Sequence, residues 1–345
     1  MATNKSLVFK KVPQGYPVAG EHLTIEAAAY DANVPAPSNG VVFQSLYTSF
    51  DPYMRGRMRP VEVKSYAPAF ELNKPVESAS IGKIVRSNNA NYKEGDLVIG
   101  HVPIQEYVTL SEPELVRIRK LENPLGIEDI RVFLGPLGMP GLTAYSSLYE
   151  IGKPKKGETI FVSAASGAVG QLVGQLAKHE GLRVIGSVGS DEKLEYITKT
   201  LGFDGGFNYK TEKPADALAR LAPEGLDIYY ENVGGEHLSA ALDAMKNFGR
   251  VVVCGLISQY NTTDPYPIKN IQNVLVKRLT MRGFIVGDKG MGDVYTKEHQ
   301  ERVQKWIKEG SFKVLIHEDV GIDNAADGLI GIFHGKNKGK AVLKF

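Results

Sequence analysis

Two patterns of hydrophobic and polar positions follow one another along the chain. Up to about residue 125 the apolar runs are short, as in "LVFKKV" and "GDLVIGHVPIQEYVTL", and segments such as "DPYMRGRMRP" separate them. Short apolar runs bounded by Pro and Gly are typical of β-strands joined by turns. The first pattern therefore predicts a β-rich N-terminal domain.

A regular alternation of strands and helices forms the second pattern. Strands are predicted at "ETIFVSAA", "RVIGSVG", "GLDIYYENVGG" and "RVVVCGLIS", with helices such as "GAVGQLVGQLAKHEG" and "SDEKLEYITKTLG" between them. This alternation predicts an α/β domain with a doubly wound parallel sheet. A last helix, "QERVQKWIKEGSF", is followed by a strand, "AVLKF", that we expect to return to the first domain. The predicted domains are residues 1–128 with 313–345, and residues 129–312.

Length and charge narrow the class of protein. A chain of 345 residues exceeds the size that one hydrophobic core usually supports, which favours two domains. Because 41 basic and 39 acidic side chains leave a net charge of only +2, nucleic acid is not an expected partner. The sequence shows neither an apolar run of about 20 residues nor a signal peptide, so no membrane contact is expected. With Cys254 as the single cysteine, a cytoplasmic location is predicted.

The segment "VSAASGAVGQ", residues 162–171, resembles a nucleotide-binding glycine loop. Aligned on G-x-G-x-x-G, it has Ala165, Gly167 and Gly170 at the three glycine positions. Gly167 would let the backbone approach a pyrophosphate, and Gly170 would let the following helix pack on its strand. Small residues also occur wherever a helix packs tightly on a strand. Because the loop joins the first strand and helix of the alternating region, it indicates dinucleotide binding.

The end of the next strand distinguishes the two nicotinamide cofactors. An NAD enzyme usually has an acidic residue there to bind the ribose 2′-OH, whereas this chain has "SVG" at residues 187–189. A small uncharged corner leaves room for a 2′-phosphate, which Lys193 and Tyr209 could bind. Lys193 could instead be a solvated surface lysine, and Asp191 could be a helix N-cap or a displaced ribose ligand. The sequence favours NADPH.

We expect the protein to bind no metal ion. A catalytic zinc ion needs three protein ligands, and Cys254 is expected within a buried strand as a small core residue beside the cofactor. Serine catalysis is not expected either, because Ser166 lacks the preceding glycine of G-x-S-x-G. The histidines are scattered and are expected to be surface or packing residues: His22, His101, His179, His237, His299, His317 and His334.

Hydride transfer without a metal needs hydrogen-bond donors for the negative charge that develops on the acceptor. A tyrosine hydroxyl keeps its proton at neutral pH because the ordinary pKa of a phenol is about 10. Tyr53 in "SFDPYMRGRM" and Tyr260 in "CGLISQYN" lie in turn-rich segments and are the candidate catalytic residues. Either could instead be a wall of a pocket.

Six separate motifs occur in the same order as in a known family: "DPYMRGRM", "LGMPGLTAY", "VSAASGAVGQ", "ENVGG", "CGLISQYN" and "GKNKGKAV". From about residue 40 to the C-terminus, the chain resembles the medium-chain dehydrogenase/reductase superfamily. Within it, the resemblance is to the zinc-free branch of prostaglandin reductases and plant NADPH-dependent alkenal (double-bond) reductases. The family implies a GroES-like β-rich catalytic domain, a Rossmann cofactor domain and a homodimer. It also implies reduction of the C=C bond of α,β-unsaturated aldehydes and ketones, with hydride transfer to the β-carbon.

The resemblance also implies roles for residues at the matching motifs. Lys193 and Tyr209 would hold the 2′-phosphate, Asn232 and Asn337 would surround the ribose and nicotinamide, and Tyr53 would face the substrate with Tyr260. The full cofactor set is Met139, Thr143, Ser166, Gly167, Ala168, Val169, Gly170, Gly189, Lys193, Tyr209, Asn232, Cys254, Gly255, Ser258, Tyr260, Phe284, Val286 and Asn337.

Two segments depart from the family's patterns. "PVESASIGKIV" has neither the His nor a Cys where zinc-dependent relatives carry a Gly-His-Glu motif. The loops "RPVEVKSYAPAFELN" and "GDKGMGDVYTKEHQ" match no named acceptor, so the individual substrate stays open. An NADPH:quinone oxidoreductase is the alternative enzyme, because a quinone is also a conjugated carbonyl acceptor. A nucleotide-binding protein without catalytic activity is the alternative outside enzymes.

Overall fold

The computed structural model describes residues 2–345 and divides them into two compact units. Unit 1 contains residues 2–134, 316–337 and 341–345. Unit 2 contains residues 135–315 and 338–340.

The N-terminal part of unit 1 consists of short strands, as the first sequence pattern predicts. They are β1 (Ala2–Phe9), β2 (Leu23–Tyr30), β3 (Val41–Ser49), β4 (Lys74–Pro75), β5 (Glu77–Ser87), β6 (Leu97–Pro103), β7 (Tyr107–Leu110) and β8 (Ile118–Lys120). One short helix, α1 (Met54–Arg57), lies between β3 and β4.

Unit 2 contains a parallel sheet with helices between its strands. The strands are β9 (Thr159–Val162), β10 (Arg183–Val188), β11 (Gly205–Asn208), β12 (Leu226–Glu231), β13 (Met245–Val253) and β14 (Thr280–Gly283). The helices are α2 (Met139–Ser147), α3 (Gly170–His179), α4 (Asp191–Glu195), α5 (Pro214–Leu221), α6 (Gly235–Ala244), α7 (Asn273–Val276) and α8 (Gly292–Glu309). The strand order β11-β10-β9-β12-β13-β14 confirms the predicted doubly wound fold.

The remaining elements are β15 (Ile316–Val320), α9 (Ala325–Phe333) and β16 (Lys340–Lys344). The end of β16 pairs with β3, with Val342 opposite Ser49, so the last strand returns to unit 1 as expected. Unit 1 then has two sheets, β2-β1-β4 and β15-β16-β3-β5-β6-β8, with β7 also paired to β3.

Each unit has a hydrophobic core. In unit 1, Leu7, Phe9, Phe50 and Met54 pack with residues of α9. In unit 2 the central strands are buried on both faces: Ile160, Phe161, Ile228 and Tyr229 are all 0% exposed. Such continuous burial is typical of a parallel sheet that helices cover on both faces.

Some boundaries differ from the predictions. The helix predicted from Gly167 begins at Gly170, because residues 163–169 form the glycine loop. The helix predicted at "SDEKLEYITKTLG" is α4 followed by a π-helical turn, Tyr196–Thr200. The sequence reading also missed β14, a short and largely exposed strand without an apolar run.

Candidate active site

The carboxyl ends of the strands in unit 2 bring most of the predicted cofactor residues to one edge of the sheet. From β9 the chain winds through β10 to β11 on one side, and β12 to β14 extend on the other. In open α/β sheets, ligands bind outside the carboxyl ends of the strands where the winding reverses. The glycine loop follows β9 and the "ENVGG" turn follows β12, so these two segments flank the reversal point.

The glycine loop depends on close contacts that only small residues allow. A Cβ atom on Gly170 would lie 2.3 Å from the Ala164 carbonyl oxygen and 2.9 Å from Ala165 Cα, so α3 can pack here only with glycine. Ala165 at the first glycine position fits because Gly186 lies opposite: a Cβ on Gly186 would be 2.7 Å from that of Ala165. A Cβ on Gly167 would meet only the Ala164 oxygen, at 3.1 Å, so this side of the loop is open to a ligand.

The start of α3 provides donors for an anion. Val169 at the N-cap has no side-chain oxygen, and its side chain makes no cap hydrogen bond. The first backbone N–H groups of a helix lack partners within the helix, and the helix dipole adds a partial positive charge there. Beside the loop, the Gly339 N–H donates to the Ser166 carbonyl oxygen at 2.9 Å. The loop of residues 166–170 therefore fits a pyrophosphate, and residues 338–340 form one of its borders.

A small corner at the end of β10 fits a 2′-phosphate. A Cβ on Gly189 would lie 2.7 Å from the Tyr209 hydroxyl oxygen, so glycine is required for Tyr209 to approach. Ser190 caps α4 by accepting from the Lys193 backbone N–H at 3.3 Å. The interpretation of Asp191 as the N-cap is therefore wrong: its carboxylate accepts from Asn208 Nδ2 at 2.9 Å.

Two lysines that the sequence analysis did not predict lie near Lys193 at this corner and add to its positive charge. Burial lowers the pKa of Lys193, and the positive charges of Lys210 and Lys338 lower it further. The Lys338 ammonium also pairs with Glu192 Oε1 at 2.8 Å and lies 5.4 Å from the Tyr196 ring centroid. A bound phosphate dianion would relieve the repulsion among these ammonium groups. Lys210 directly follows Tyr209 in the chain. This position next to a predicted phosphate-binding residue could have indicated its role from the sequence, but Lys210 was not among the predicted site residues.

A buried glutamate holds the "ENVGG" turn. Glu231 is 0% exposed, and its Oε1 accepts from the Val233 and Gly234 N–H groups at 2.6 and 2.8 Å and from the Tyr229 hydroxyl at 2.8 Å. Burial raises the pKa of Glu231, and these donors oppose that rise. Asn232 Nδ2 donates to the Ser163 carbonyl oxygen at 2.8 Å, which ties this turn to the glycine loop. The two segments at the reversal point are thus hydrogen-bonded to each other.

Tyr260 folds back over the end of β13. The Leu256 N–H donates to the Tyr260 hydroxyl oxygen at 3.2 Å, and a Cβ on Gly255 would lie 3.0 Å from the same oxygen. Ser258 is held in the same turn, where its N–H and its hydroxyl both donate to the Val233 carbonyl oxygen. The Tyr260 phenol therefore lies at the carboxyl edge of the sheet, beside glycine and backbone amide groups.

The other predicted cofactor residues lie in several different segments of the chain. Thr143 Oγ1 donates to Met139 Sδ at 3.4 Å in α2. Cys254 lies one residue beyond β13 and not within the strand as expected, and burial raises the pKa of its thiol to about 12. Phe284 and Val286 follow β14 and are half-buried. Asn337 is the last residue of the second segment of unit 1.

Tyr53 lies in unit 1, at the N-cap of α1. Its ring packs against the unit 1 core, and its hydroxyl lies 3.4 Å from His101 Nε2. Burial and the Asp51 carboxylate raise the pKa of Tyr53 to about 12, although Arg57 opposes them. The phenol is therefore protonated at neutral pH. His101 is one of the histidines expected only at the surface or in packing, and its position in the chain contains no signal of this contact.

Among residues 2–345, no group of three or more His, Cys, Asp or Glu side chains is arranged to hold a metal ion. None of the helices in this described range has the length and apolar character needed to cross a membrane.

Comparison with known proteins identifies the family. Residues 168–309 match the model of the zinc-binding dehydrogenase family, and residues 5–118 match that of the N-terminal domain of oxidoreductases. The chain belongs to the medium-chain dehydrogenase/reductase superfamily, in the zinc-free group of alkenal-reductase type, and it is an NADP-dependent oxidoreductase, as the sequence predicts.

Individual relatives cover almost the whole chain. It is 53% identical to the NADP-dependent oxidoreductase RED1 of Cochliobolus heterostrophus, covering 100% of this chain and 98% of the relative. It is 43% identical to the NADP-dependent 2-alkenal reductase of Nicotiana tabacum, covering 99% and 97%. The crystal structure of CurA from Vibrio vulnificus in complex with NADPH is similar, with a TM-score of 0.88, 35% identity and coverage of 99% and 98%.

Proposed function

We propose that this protein uses NADPH to reduce the C=C double bond of α,β-unsaturated aldehydes and ketones. The observation that carries the proposal is the Tyr260 phenol at the carboxyl edge of the unit 2 sheet, where its oxygen accepts from the Leu256 N–H. A neutral donor at this edge suits an acceptor whose carbonyl oxygen gains negative charge. The tobacco relative, a 2-alkenal reductase, supports the same reaction class.

The cofactor assignment rests on the glycine loop and the basic corner. The open side of Gly167 and the uncapped start of α3 suit a pyrophosphate, and Lys193 with Lys210 and Lys338 suits a 2′-phosphate. An acidic residue that would select NADH is missing from residues 187–189. The NADP-dependent relative from Cochliobolus and the NADPH complex of CurA support NADPH.

Within this proposal, the protein's own side chains bind and polarise the acceptor. NADPH, when bound, supplies the hydride that adds to the β-carbon. Tyr260 donates a hydrogen bond to the carbonyl oxygen, either directly or through a ribose hydroxyl, and so stabilises the enolate charge. Tyr53 is the second hydroxyl that we assign to the substrate, and its pKa of about 12 keeps it in the donor form.

A comparison of acceptors tests the proposed substrate class. Initial rates of NADPH oxidation would be measured with 2-alkenals, enones and benzoquinones of similar size, and the products would be identified by mass spectrometry. We expect a higher kcat/KM for the alkenals and enones, with saturated carbonyl products. A clear preference for the quinones would assign the protein as an NADPH:quinone oxidoreductase. Tight NADPH binding without oxidation by any acceptor would make it a nucleotide-binding protein.

We also propose that the protein forms a homodimer through the β14 edge of the unit 2 sheet. In the described sheet β14 is the end strand, paired with β13. The residues just before it expose apolar side chains, with Leu275 at 80% and Val276 at 59%. An edge strand beside an apolar patch is suited to pairing with a second copy.

Light scattering after size-exclusion chromatography tests the dimer. The wild-type protein is expected at twice the chain mass of 37.7 kDa, and Leu275→Asp is expected to shift it toward the monomer. Val116→Asp, at an apolar position that is 88% exposed in unit 1, is the matched control and should leave the mass unchanged. A monomeric wild-type protein would contradict the proposal. A cytoplasmic location, expected from the sequence, stays a prediction.

A further inference from the structure

A histidine of unit 1 contacts the proposed substrate tyrosine from a distant part of the chain. His101 lies in β6 opposite Ala79 of β5, and its Nε2 is 3.4 Å from the Tyr53 hydroxyl oxygen. Arg57 NH1 lies 3.5 Å from the same nitrogen. The Tyr53 hydroxyl and the Arg57 guanidinium therefore both lie next to the Nε2 atom of the His101 ring.

The opposite nitrogen faces a carboxylate and solvent. His101 Nδ1 is 4.0 Å from Glu77 Oε2, and the His101 side chain is 41% exposed. Arg117 fixes this side of the site, since its Nε donates to the His101 carbonyl oxygen at 2.9 Å and its NH2 donates to Glu77 Oε1 at 2.6 Å. The imidazole thus connects a half-buried phenol on one side with an acidic, solvent-accessible side on the other.

We propose that His101 is a positioning and proton-relay residue that returns a proton from solvent to Tyr53 during each catalytic cycle. The inference rests on the proposed function, in which the Tyr53 hydroxyl serves the substrate. Tyr53 is the catalytic residue here, and His101 acts through it.

The proposed relay has three proton-transfer steps. The Tyr53 O–H bond breaks as its proton moves to the α-carbon of the enolate, where a C–H bond forms and a phenolate is left. In the resting ring Nε2 accepts from the Arg57 guanidinium, so Nδ1 carries the N–H. Exchange with solvent moves this proton from Nδ1 to Nε2. The Nε2–H proton then passes to the phenolate oxygen as Nδ1 takes a proton from water, which restores the resting tautomer. The net result is one proton taken from solvent and delivered to the substrate carbon.

The charges around His101 favour the neutral ring that such a relay needs. Burial lowers the pKa of His101, and the cations Arg57 of α1 and Arg117 add to that effect. Glu77 of β5 and Asp51, which precedes α1, oppose it. At neutral pH the ring therefore carries one N–H and one lone pair, so it can release a proton at one nitrogen while it accepts one at the other.

His101→Gln separates the relay from a purely structural role, because glutamine can keep a hydrogen bond to Tyr53 but cannot pass a proton between two ring nitrogens. We expect about a 10-fold or larger fall in kcat for enone reduction, up to the roughly 10²- to 10⁴-fold contribution typical of general acid catalysis. The hydride step, followed by single-turnover NADPH oxidation, should change less than about 2-fold, and the solvent deuterium isotope effect on kcat should rise.

His317→Gln is the matched control. His317 also lies in a strand of unit 1, its side chain is 39% exposed, and its Nε2 is 3.8 Å from Asp319. We expect wild-type kinetics from this variant. An unchanged kcat and isotope effect in His101→Gln would overturn the relay, and so would an equal loss in the hydride step, which would leave His101 with a structural role only.

A second readout needs neither cofactor nor substrate. Nitrogen-15 NMR of the imidazole rings in the free protein would follow the titration of each histidine in wild type and Tyr53→Phe. We expect the variant to shift the titration midpoint of His101 and to leave that of His179 in unit 2, whose pKa is lowered by burial, in place. Unchanged His101 titration would overturn the relay, whereas a wild-type protein that reduces no alkenal or enone would instead overturn the proposed function.

Discussion

The two candidate tyrosines have hydroxyl groups in opposite kinds of surroundings. Tyr260 in unit 2 accepts from the N–H of Leu256, four residues earlier in its own loop, and lies beside a glycine. Tyr53 in unit 1 lies near His101, which is 48 residues away in the chain, in a network of charged side chains. The contact of Tyr260 with Leu256 is to the backbone and local in sequence, whereas the contact of Tyr53 with His101 is between side chains that are distant in sequence.

Because of this difference, pH and substitutions of neighbouring residues should affect the two hydroxyl groups differently. Backbone amides do not titrate, so the hydrogen bond that Tyr260 accepts from the Leu256 N–H does not itself depend on pH. The surroundings of Tyr53 include a titratable imidazole and ion pairs, so its donor strength depends on other side chains. We therefore expect that substitution of Tyr260 lowers kcat strongly at every pH. Substitution of Tyr53 or its neighbours should change kcat by an amount that depends on pH.

The largest expected effect is that of Tyr260→Phe. Removing the principal donor to a developing oxyanion typically costs about 10²- to 10³-fold in kcat, and less if Tyr53 shares the role. NADPH affinity should stay the same, because only the hydroxyl is deleted. Tyr266→Phe, at an exposed position in the same loop, is the control. An unchanged kcat with chemistry shown to be rate-limiting by a deuteride isotope effect would remove Tyr260 from the mechanism.

Lys193→Ala tests the charged corner of unit 2. Loss of an ammonium that binds the 2′-phosphate should cost about 1.5–3 kcal/mol of NADPH affinity, or roughly 10- to 150-fold, and leave NADH affinity nearly unchanged. Titration calorimetry with both cofactors measures this. Lys199→Ala, which removes an exposed lysine paired with Glu195, is the control. Equal losses for NADPH and NADH would reject the phosphate contact.

Acid should destabilise unit 2 through two buried histidines. Burial lowers the pKa of both His237 and His299 from 6.5 to about 4, so the unfolded state binds more protons than the folded state between these pH values. The contribution of the two neutral histidines to the free energy of unfolding is therefore fully present well above pH 6.5, and it is lost as the pH falls toward 4. From pH 7 to pH 5 the loss is about 2 kcal/mol for each histidine.

Denaturant unfolding of unit 2 at pH 7 and pH 5 measures this dependence. His237→Phe retains a ring to stack with Phe161 and Phe207 and should remove about half of the acid sensitivity. His101 contributes to catalysis in unit 1 by our proposal, so His101→Gln should leave the pH dependence of unit 2 unfolding in place. A stability that is flat between pH 7 and pH 5 would contradict the neutral, buried state of both histidines.

Lys338→Ala should have a smaller effect on the same corner as Lys193. Lys338 is partly exposed and paired with Glu192, which is 76% exposed, so solvent screens its contribution. We expect about a 2- to 5-fold loss of NADPH affinity, in the range of about 1 kcal/mol or less for exposed ion pairs. Calorimetry at low and high salt should show the loss shrinking as salt rises. A loss as large as that of Lys193→Ala would show Lys338 in direct contact with the phosphate.

The smallest expected effect is that of metal removal. Dialysis against a strong chelator should leave the rate of enone reduction unchanged, because both tyrosine sites are built from hydroxyl, amide and charged organic groups. Metal content by mass spectrometry and activity before and after dialysis are the measurements. Activity lost on chelation and restored by zinc would overturn the metal-free mechanism.

Much of unit 2 was predictable from its sequence. The strands β9, β10, β12 and β13 coincide with predicted apolar runs, because a strand covered on both faces needs a continuous run of buried residues. The role of Gly170 in packing α3 was predictable too, since the glycine fingerprint describes a local steric requirement. β14 was not predicted, because a short edge strand with exposed polar residues carries no such pattern.

What the sequence by itself determined is local: apolar runs, glycine positions and the six motifs are enough to define the two-domain plan and the Rossmann sheet. Only the tertiary structure brought together residues that are far apart in the chain, such as the Gly339 N–H on the Ser166 oxygen and His101 beside Tyr53. Such contacts depend on strand pairing and register, which are set by packing across the whole unit. The relay proposed for His101 follows from that pairing, since His101 on β6 and Glu77 on β5 belong to adjacent, paired strands of one sheet.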